Sequence, residues 1–362
     1  MANPLYFQAN FLRKKVRMEM EREALSFLFR NFAWKECHLS SPLYQQLSLK
    51  TAQDDELLAL ASHARRGQPV PNLLFGAVHY LLLKGKDHPL KNYYPNLAES
   101  PRKADEAFPA FRDFCLMFKD EIIPILREKR VQTNEPGRCA YLYPGFCLIY
   151  NRVKKPLSLI EIGTSAGLQL LWDHYSYSYG GSQTYGHPSS PIRIESEIRG
   201  TRQPFLLPDS PPVAFRAGVD LHIMDLTDQE DFLWMRSLIW PEHQKRVRLF
   251  EKAARQLKKH PLRLIEGDGV EMLPRLARQV PEDTALCIFH THVANQMPDQ
   301  AKRKLRDQIG KLGRTQTVFH LYNNMEDRDV LHLESYIDGR KSHEVLAKTE
   351  GHGRWFEWKS PE

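Results

Sequence analysis

The chain has 362 residues, of which 42% are hydrophobic and 26% are charged. This is the composition of an ordinary globular protein, and the length predicts two domains or one enlarged domain. Lysine and arginine total 51 against 44 acidic residues, and the resulting charge of +7 is spread over short clusters. Such a surface would attract an anionic ligand, but it does not indicate nucleic-acid binding.

The cysteines and the apolar stretches bear on metal binding, cellular compartment and membrane insertion. The five cysteines are scattered and form no C-x-x-C pair, which argues against a thiolate zinc site. They fit reduced, mostly buried thiols in the cytoplasm. The N-terminus has no signal-like pattern, and no apolar stretch is long enough to span a bilayer. The sequence therefore predicts a cytoplasmic protein without a membrane segment.

Residues 1–151 predict a helical N-terminal domain, because apolar residues recur at helical spacing and no convincing strand is present. We expect Pro124 to bend the last of these helices. A polar segment, Gln132–Arg138, then leads to an apolar segment at Tyr141–Tyr150. The predicted helices are Val16–Phe32, Asp54–Arg66, Pro71–Leu83 and Phe108–Lys129.

Residues 152–362 predict a second domain, in which five short apolar runs alternate with helices. This alternation favours a parallel sheet. Two alternating runs, His343–Ala347 and Trp355–Trp358, predict a terminal hairpin. Residues 176–212 are rich in Tyr, Ser, Gly and Pro and are interpreted as an inserted hairpin or loop, whose tyrosines are candidates for a lid. The predicted parallel strands are Leu157–Ile162, Val213–Val219, Leu262–Ile265, Ala285–Phe289 and Thr317–Leu321.

The most informative stretch, residues 157–173, has the sequence L-S-L-I-E-I-G-T-S-A-G-L-Q-L-L-W-D. It predicts a buried strand, a turn of small residues and a helix. The free N–H groups at such a helix start point at whatever lies above the strand, and glycine permits close approach. The turn resembles the first motif of class I S-adenosylmethionine (SAM) methyltransferases, with Ser165 in place of the middle glycine.

The same turn also matches the G-x-S-x-G nucleophile elbow of serine hydrolases, with Ser165 as the nucleophile. A third interpretation is a structural turn without any ligand. The hydrolase fold needs several strands before its elbow, whereas here the turn follows the first predicted strand. The predicted topology therefore favours the methyltransferase interpretation over the hydrolase.

The whole chain also resembles a family of uncharacterised bacterial proteins with a helical N-terminal region and a methyltransferase-like core. This resemblance implies an α/β fold with a Rossmann-like, seven-stranded methyltransferase-type sheet of five parallel strands plus a terminal hairpin. SAM is then the expected cofactor, and the acceptor is an unknown small molecule or protein. A non-catalytic ligand-binding or interaction protein on the same fold is the alternative. The segments that carry the resemblance are Gln132–Arg138, Glu161–Leu168, Arg216–Leu221, Asp225–Asp228, Trp240–Glu242, Gly267–Asp268 and Phe289–His292.

The methyltransferase resemblance implies a cofactor site at the switch in strand order, between the first and fourth strands. Its acidic members are also ordinary helix-cap or turn residues. Asp220 matches the acidic residue that accepts hydrogen bonds from the ribose hydroxyls, and Asp225 is its substitute. Asp268 matches the acidic residue beside the adenine amino group. The residues expected to line the methionine and ribose side are Glu161, Gly163, Ser165 and Gly167.

Two further groups of polar residues complete the expected site. His290 and His292 end the fourth strand, where one of them is a candidate general base, and Asn295 is a weaker candidate. An H-x-H pair can also bind metal, but no third ligand is evident in sequence, so no metal is expected. Arg138 can pair bidentately with the carboxylate of the cofactor, and Asn134 and Glu135 are candidates to hold that arginine or the substrate.

Overall fold

The computed structural model describes residues 19–361. The chain forms two compact units. The first contains the described residues up to Thr133 together with Gln229–Val247, and the second contains Asn134–Asp228 and the residues from Arg248 onward. The chain thus leaves the second unit after Asp228 and returns to it at Arg248.

The first unit is built from helices, and residues 19–133 contain no strand. Residues 16–18 of the first predicted helix lie outside the described part of the chain. The long predicted helix divides at Phe118, whose φ of −106° and ψ of 21° are not helical, while Pro124 lies inside the second half. The Phe118 ring packs 4.6 Å from that of Phe114 at this break. The helices are α1 (19–32), α2 (Pro42–Thr51), α3 (Asp55–Ala61), α4 (Val70–Leu83), α5 (Phe108–Met117), α6 (Lys119–Glu128) and α8 (Gln229–Ser237).

The second unit is organised around a nine-stranded sheet. Its strands are β1 (Leu157–Ile162), β5 (Glu197–Arg199), β6 (Val213–Asp220), β7 (Leu264–Glu266), β8 (Ala285–His290), β9 (Val318–Asn323), β10 (Val330–Ile337), β11 (Arg340–Thr349) and β12 (Trp355–Trp358). They lie in the order β5-β12-β11-β10-β9-β8-β1-β6-β7. The five predicted parallel strands are present as β7, β6, β1, β8 and β9.

The sheet has nine strands rather than the expected seven. The predicted hairpin pairs β11 with β12. Sequence analysis missed β10, because His332 and Glu334 interrupt its apolar pattern although both are buried. It also missed β5, a three-residue strand of the insertion that pairs in parallel with β12 at the edge of the sheet.

Helices cover both faces of this sheet. On one face, α10 (Gly269–Ala277) and α11 (Asp299–Leu312) bury an aliphatic core against the parallel strands. On the other face lies α7 (Cys139–Val153), whose Phe146 meets Phe289 of β8 edge-on. A further helix, α9, spans Gln244–Lys259. The small-residue turn after β1, residues 163–167, is called the central turn. The helix expected after it is only a 3-10 segment, Leu168–His174, interrupted by non-helical dihedrals at Leu171.

The insertion forms a small sheet of its own from β2 (Ser176–Ser178), β3 (Tyr185–Gly186) and β4 (Arg193–Glu195). Its tyrosines do not form a lid. Tyr177 is fully buried and stacks on Tyr143 of α7 at 4.3 Å, and the Tyr179 hydroxyl donates to the Ala140 carbonyl. These large amphipathic side chains anchor the insertion to the core.

Two further predictions concern the cysteines and membrane-spanning helices. All five cysteines are free and buried, as the scattered spacing predicted. Over residues 19–361, no helix combines the length and apolar character that a membrane crossing requires.

Candidate functional site

The central turn follows β1 at the point where the strand order reverses, with β6 on one side of β1 and β8 on the other. Three of its five residues have left-handed backbone: Gly163 at φ 75°, Ser165 at φ 52° and Gly167 at φ 78°. For a serine this conformation costs about 1–2 kcal/mol. Such local strain is common at functional sites, so the turn is the first place to look for a ligand site.

The backbone N–H groups of this turn are used by the chain itself. Ser165 N–H donates to Asp220 Oδ2 at 2.8 Å, and Leu168 N–H donates to Asn134 Oδ1 at 2.6 Å. Gly163 N–H donates to the Val219 carbonyl at 2.8 Å. Most donors at the turn that could face a ligand in the methyltransferase interpretation therefore already have protein acceptors.

Side chains of the protein also pack closely against both glycines of the turn. A Cβ atom on Gly163 would lie 2.5 Å from Val293 Cγ2, and one on Gly167 would lie 2.8 Å from Leu262 Cδ1. Both distances are far below van der Waals contact. The two glycines are thus required by the close approach of the protein's own side chains, and Val293 occupies the space beside Gly163.

Glu161 ends β1 and is almost completely buried, with 1% of its surface exposed. The Thr164 hydroxyl donates to its Oε2 at 2.6 Å. Burial raises the pKa of Glu161 to about 8, and the hydrogen bond from Thr164 opposes this shift. Because a carboxyl group that is desolvated favours its neutral form, Glu161 is protonated at neutral pH and is then a hydrogen-bond donor.

The other acidic residues of the expected cofactor site act as caps. Asp220 accepts from Ser165 N–H through one oxygen and from His222 N–H through the other. Asp268 caps α10 by accepting from the N–H groups of Val270 and Glu271. Asp225, the substitute for Asp220, accepts from Thr227. Each of these carboxylates stabilises local backbone, as acidic side chains commonly do at turns and helix starts.

Arg138 lies in a polar cluster at the ends of the central strands. Its Nε donates to the Gly351 carbonyl at 2.9 Å, and its Nη1 lies 3.4 Å from the Thr291 hydroxyl. That hydroxyl in turn donates to Gln169 Oε1 at 3.0 Å. A guanidinium carries five N–H groups, so these contacts use only part of its capacity.

Glu135 belongs to the same segment and has a local structural role. Its Oε1 accepts from Gly137 N–H at 3.1 Å and caps the 3-10 turn Pro136–Arg138. The backbone here meets the β11–β12 turn very closely, since a Cβ on Gly353 would lie 2.0 Å from the Gly137 carbonyl oxygen. The close packing of Gly137 and the cap from Glu135 thus fix the backbone that leads to Arg138.

The two candidate catalytic histidines are not brought together. His290 is fully buried, and its Nε2 lies 3.1 Å from Nε2 of His320 on β9. His292 follows the strand with a left-handed φ of 61°, and its N–H donates to Asn323 Oδ1. Its Nε2 is buried without a hydrogen-bond partner. Burial, aided by the charge of Arg138, lowers the pKa of His292 to about 3, so the ring is neutral at pH 7.

Four buried polar residues of this cluster were not selected by sequence analysis. They share full or nearly full burial and hydrogen bonds to the predicted residues or to each other. Thr291 directly follows β8 and Asn323 is the last residue of β9, so their positions at strand ends are the signal that could have identified both. The four are Tyr141, Gln169, Thr291 and Asn323. Asn295, the weaker candidate, is exposed.

Ser165 has no arrangement that would activate it as a nucleophile. Its side chain is 2% exposed, and its Oγ has no hydrogen-bond partner. A serine nucleophile needs an adjacent general base within hydrogen-bond reach. The geometry therefore gives the hydrolase alternative no support.

A family described as "Uncharacterized protein conserved in bacteria (DUF2332)" matches residues 27–358. Neither the curated proteins nor the solved structures that were compared with the chain gave a match.

Proposed function

The chain belongs to this DUF2332 family, and for it we propose SAM-dependent methyl transfer to a small-molecule or protein acceptor, on a methyltransferase-type core within the nine-stranded sheet. One observation carries the proposal: the glycine-containing turn leaves β1 beside β8, where the order of parallel strands reverses. In open parallel sheets, ligands bind in the crevice outside the strand ends at this point. The adenosyl ligand would supply an electrophilic methyl group.

Because Val293 packs against the turn, the proposal requires a local conformational change. Val293 contacts Gly163 so closely that a ligand over the turn requires Val293 to move. Val293 begins a four-residue 3-10 segment, Val293–Gln296, whose last two residues are exposed. The free energy needed to displace this segment would lower the apparent affinity for the ligand.

Two groups beside the turn keep unused hydrogen-bonding capacity. Arg138 has N–H groups beyond those that contact Gly351 and Thr291, and they suit the carboxylate of the methionine moiety. His292 is neutral and its Nε2 has no partner, so it can accept a hydrogen bond from the methyl acceptor, but its pKa of about 3 makes it a weak base in this conformation. His290 is less suited, because it is fully buried and its Nε2 is engaged with His320.

Ligand binding to the full chain tests the proposal. We expect SAM and S-adenosylhomocysteine, but not NAD, to raise the melting temperature and to give heat in calorimetry. Val293→Ala should bind both adenosyl ligands more tightly than the native chain, because less side chain covers Gly163. Val345→Ala, at an exposed valine, is the matched control and should bind as the native chain does. If neither the native chain nor Val293→Ala responds to either adenosyl ligand, methyl transfer is excluded.

A non-catalytic ligand-binding or interaction protein is the second candidate. The observation that favours it is the set of hydrogen bonds by which Asp220 and Asn134 occupy the turn. A chain that binds SAM or S-adenosylhomocysteine tightly but transfers no methyl group to any of a broad set of acceptors would support this candidate.

A further inference from the structure

Three side chains with metal-binding chemistry converge on the antiparallel side of the sheet, away from the central turn. Glu326 lies between β9 and β10, His332 lies on β10 and His343 on β11. One potential ligand atom from each lies within 4.8 Å of those of the other two. His332 is 1% exposed, whereas Glu326 and His343 are exposed.

The two imidazole rings are held in place before any ion binds. His332 Nδ1 lies 3.1 Å from His343 Nε2. The His332 ring is stacked between Tyr322 and His343, with centroid distances of 5.2 Å on both sides. The register of β10 against β11 shifts between Leu331 and His332, and such bulges re-aim side chains.

One feature of His332 is not explained by protein contacts alone. Its Nε2 is buried and has no hydrogen-bond partner, and an oxygen of Asp327 lies 3.8 Å away. Histidines that bind metals commonly present their second nitrogen to a carboxylate, directly or through water. Asp327 stands where that carboxylate would be if Nδ1 of His332 bound an ion.

We propose that Glu326, His332 and His343 bind one divalent transition-metal ion of the zinc class, with water completing its coordination. Two nitrogens bound to tetrahedral zinc at 2.0–2.1 Å lie about 3.3 Å apart, close to the separation of the two rings. Two imidazoles and one carboxylate suit zinc or ferrous iron, whereas magnesium and calcium prefer oxygen ligands.

The charge around the three ligands is compatible with a cation. Glu326 pairs with Arg306 through Oε1, which leaves its second oxygen as a ligand. Asp327 adds a second carboxylate beside His332. The proposed site thus has two imidazoles and two carboxylates around one ion, with the arginine at its edge.

Zinc titration of the tag-free full chain, stripped with a chelator, tests the proposal. We expect one zinc ion per chain in calorimetry and a zinc-dependent rise in melting temperature. His343→Ala and Glu326→Gln change exposed residues, so both variants should fold, and each should weaken zinc binding by at least about tenfold. Cobalt should give the visible absorption of a tetrahedral site in the native chain and lose it in both variants.

His260→Ala provides the matched control. His260 stacks on His174 at 4.0 Å and thus forms a second histidine pair in the same unit. Its replacement should leave zinc affinity unchanged. The proposal is overturned if the native chain binds no stoichiometric zinc, or if His260→Ala weakens binding as much as His343→Ala does, since that result indicates only scattered surface histidines.

Discussion

The central turn and the histidine group of β10 and β11 differ in how far the protein satisfies its own polar atoms. At the turn, carboxylate and amide oxygens accept from the backbone N–H groups, and Val293 covers Gly163. At the histidine group, His332 keeps a buried nitrogen without a partner beside an exposed imidazole and carboxylate. This difference shows that a recognisable backbone motif need not be the place where polar atoms without protein partners are available to a ligand. Four single substitutions, at the turn, in β1 and at Asn134, and one double substitution test this difference.

Gly163→Ala should have the largest effect. It places a side chain on a left-handed residue and against Val293, so we expect the free energy of unfolding to fall by about 3 kcal/mol or more. Gly339→Ala has a similar φ of 73° with nothing near its Cβ and should cost only about 1 kcal/mol. Guanidinium denaturation measures both.

A double substitution separates crowding from backbone strain at Gly163. Val293→Ala combined with Gly163→Ala should recover part of the loss, giving a favourable coupling energy in a double-mutant cycle. Strict additivity would contradict the close packing between these two residues.

Asn134→Ala should lower the free energy of unfolding by about 1–3 kcal/mol, because it leaves the buried Leu168 N–H without its acceptor. Asn151→Ala, at an exposed asparagine, should change it by less than about 0.5 kcal/mol. Urea denaturation at one pH measures both variants. Equal stability of the two would show that water replaces the Asn134 amide and that the turn is open.

Glu161→Gln should change how stability depends on pH. The folded-state pKa of about 8 exceeds the ordinary value of 4.5, so folding favours the protonated form. Below pH 4.5 the Glu161 carboxyl group is protonated in both the folded and the unfolded chain, so its burial carries no ionisation cost. Between pH 4.5 and pH 8 the unfolded chain loses this proton more readily, and the native chain therefore loses stability as pH rises. Relative to the native chain, Glu161→Gln should gain about 1 kcal/mol or more between pH 5 and pH 8.

Denaturation at pH 5, 6, 7 and 8 measures this dependence, with Glu282→Gln as the exposed control. Parallel stability profiles for Glu161→Gln and the native chain would show that water reaches Glu161.

Ser165→Ala should have the smallest effect, below about 0.5 kcal/mol, because the hydroxyl makes no hydrogen bond and alanine adopts the same backbone at similar cost. Ser158→Ala is the comparison: its buried hydroxyl lies 2.8 Å from that of Thr284, and its loss should cost about 1 kcal/mol. Denaturation measures both variants. A catalytic base that bonds Ser165 would instead make the first substitution the costlier one.

The parallel half of the sheet was predictable, because its strands are short apolar runs separated by helices. The antiparallel half was predicted only in part, since β10 carries His332 and Glu334 at buried positions and does not have an apolar pattern. Local sequence also places the helix break at Pro124, whereas packing around Phe114 sets it at Phe118.

Site prediction depended on strand ends and motif spacing. These marked Glu161, Arg138, His292 and Asn134, but they did not show that Asn134 accepts from the Leu168 N–H, because the two residues are 34 positions apart in sequence. No metal was expected because a third ligand was sought near His290 and His292. The three converging residues span residues 326–343 and meet only when β10 pairs with β11.

The pairing of β12 with β5 and the hydrogen bond from Arg138 to Gly351 constrain how the chain folds during its synthesis on the ribosome. Residues 197–199 and 138 acquire these partners only after more than 150 further residues have been translated. Contacts so distant in sequence slow the folding of a nascent chain. Until the last strand emerges, the edge of the sheet stays open to other chains, so the growing polypeptide is a natural client for chaperones.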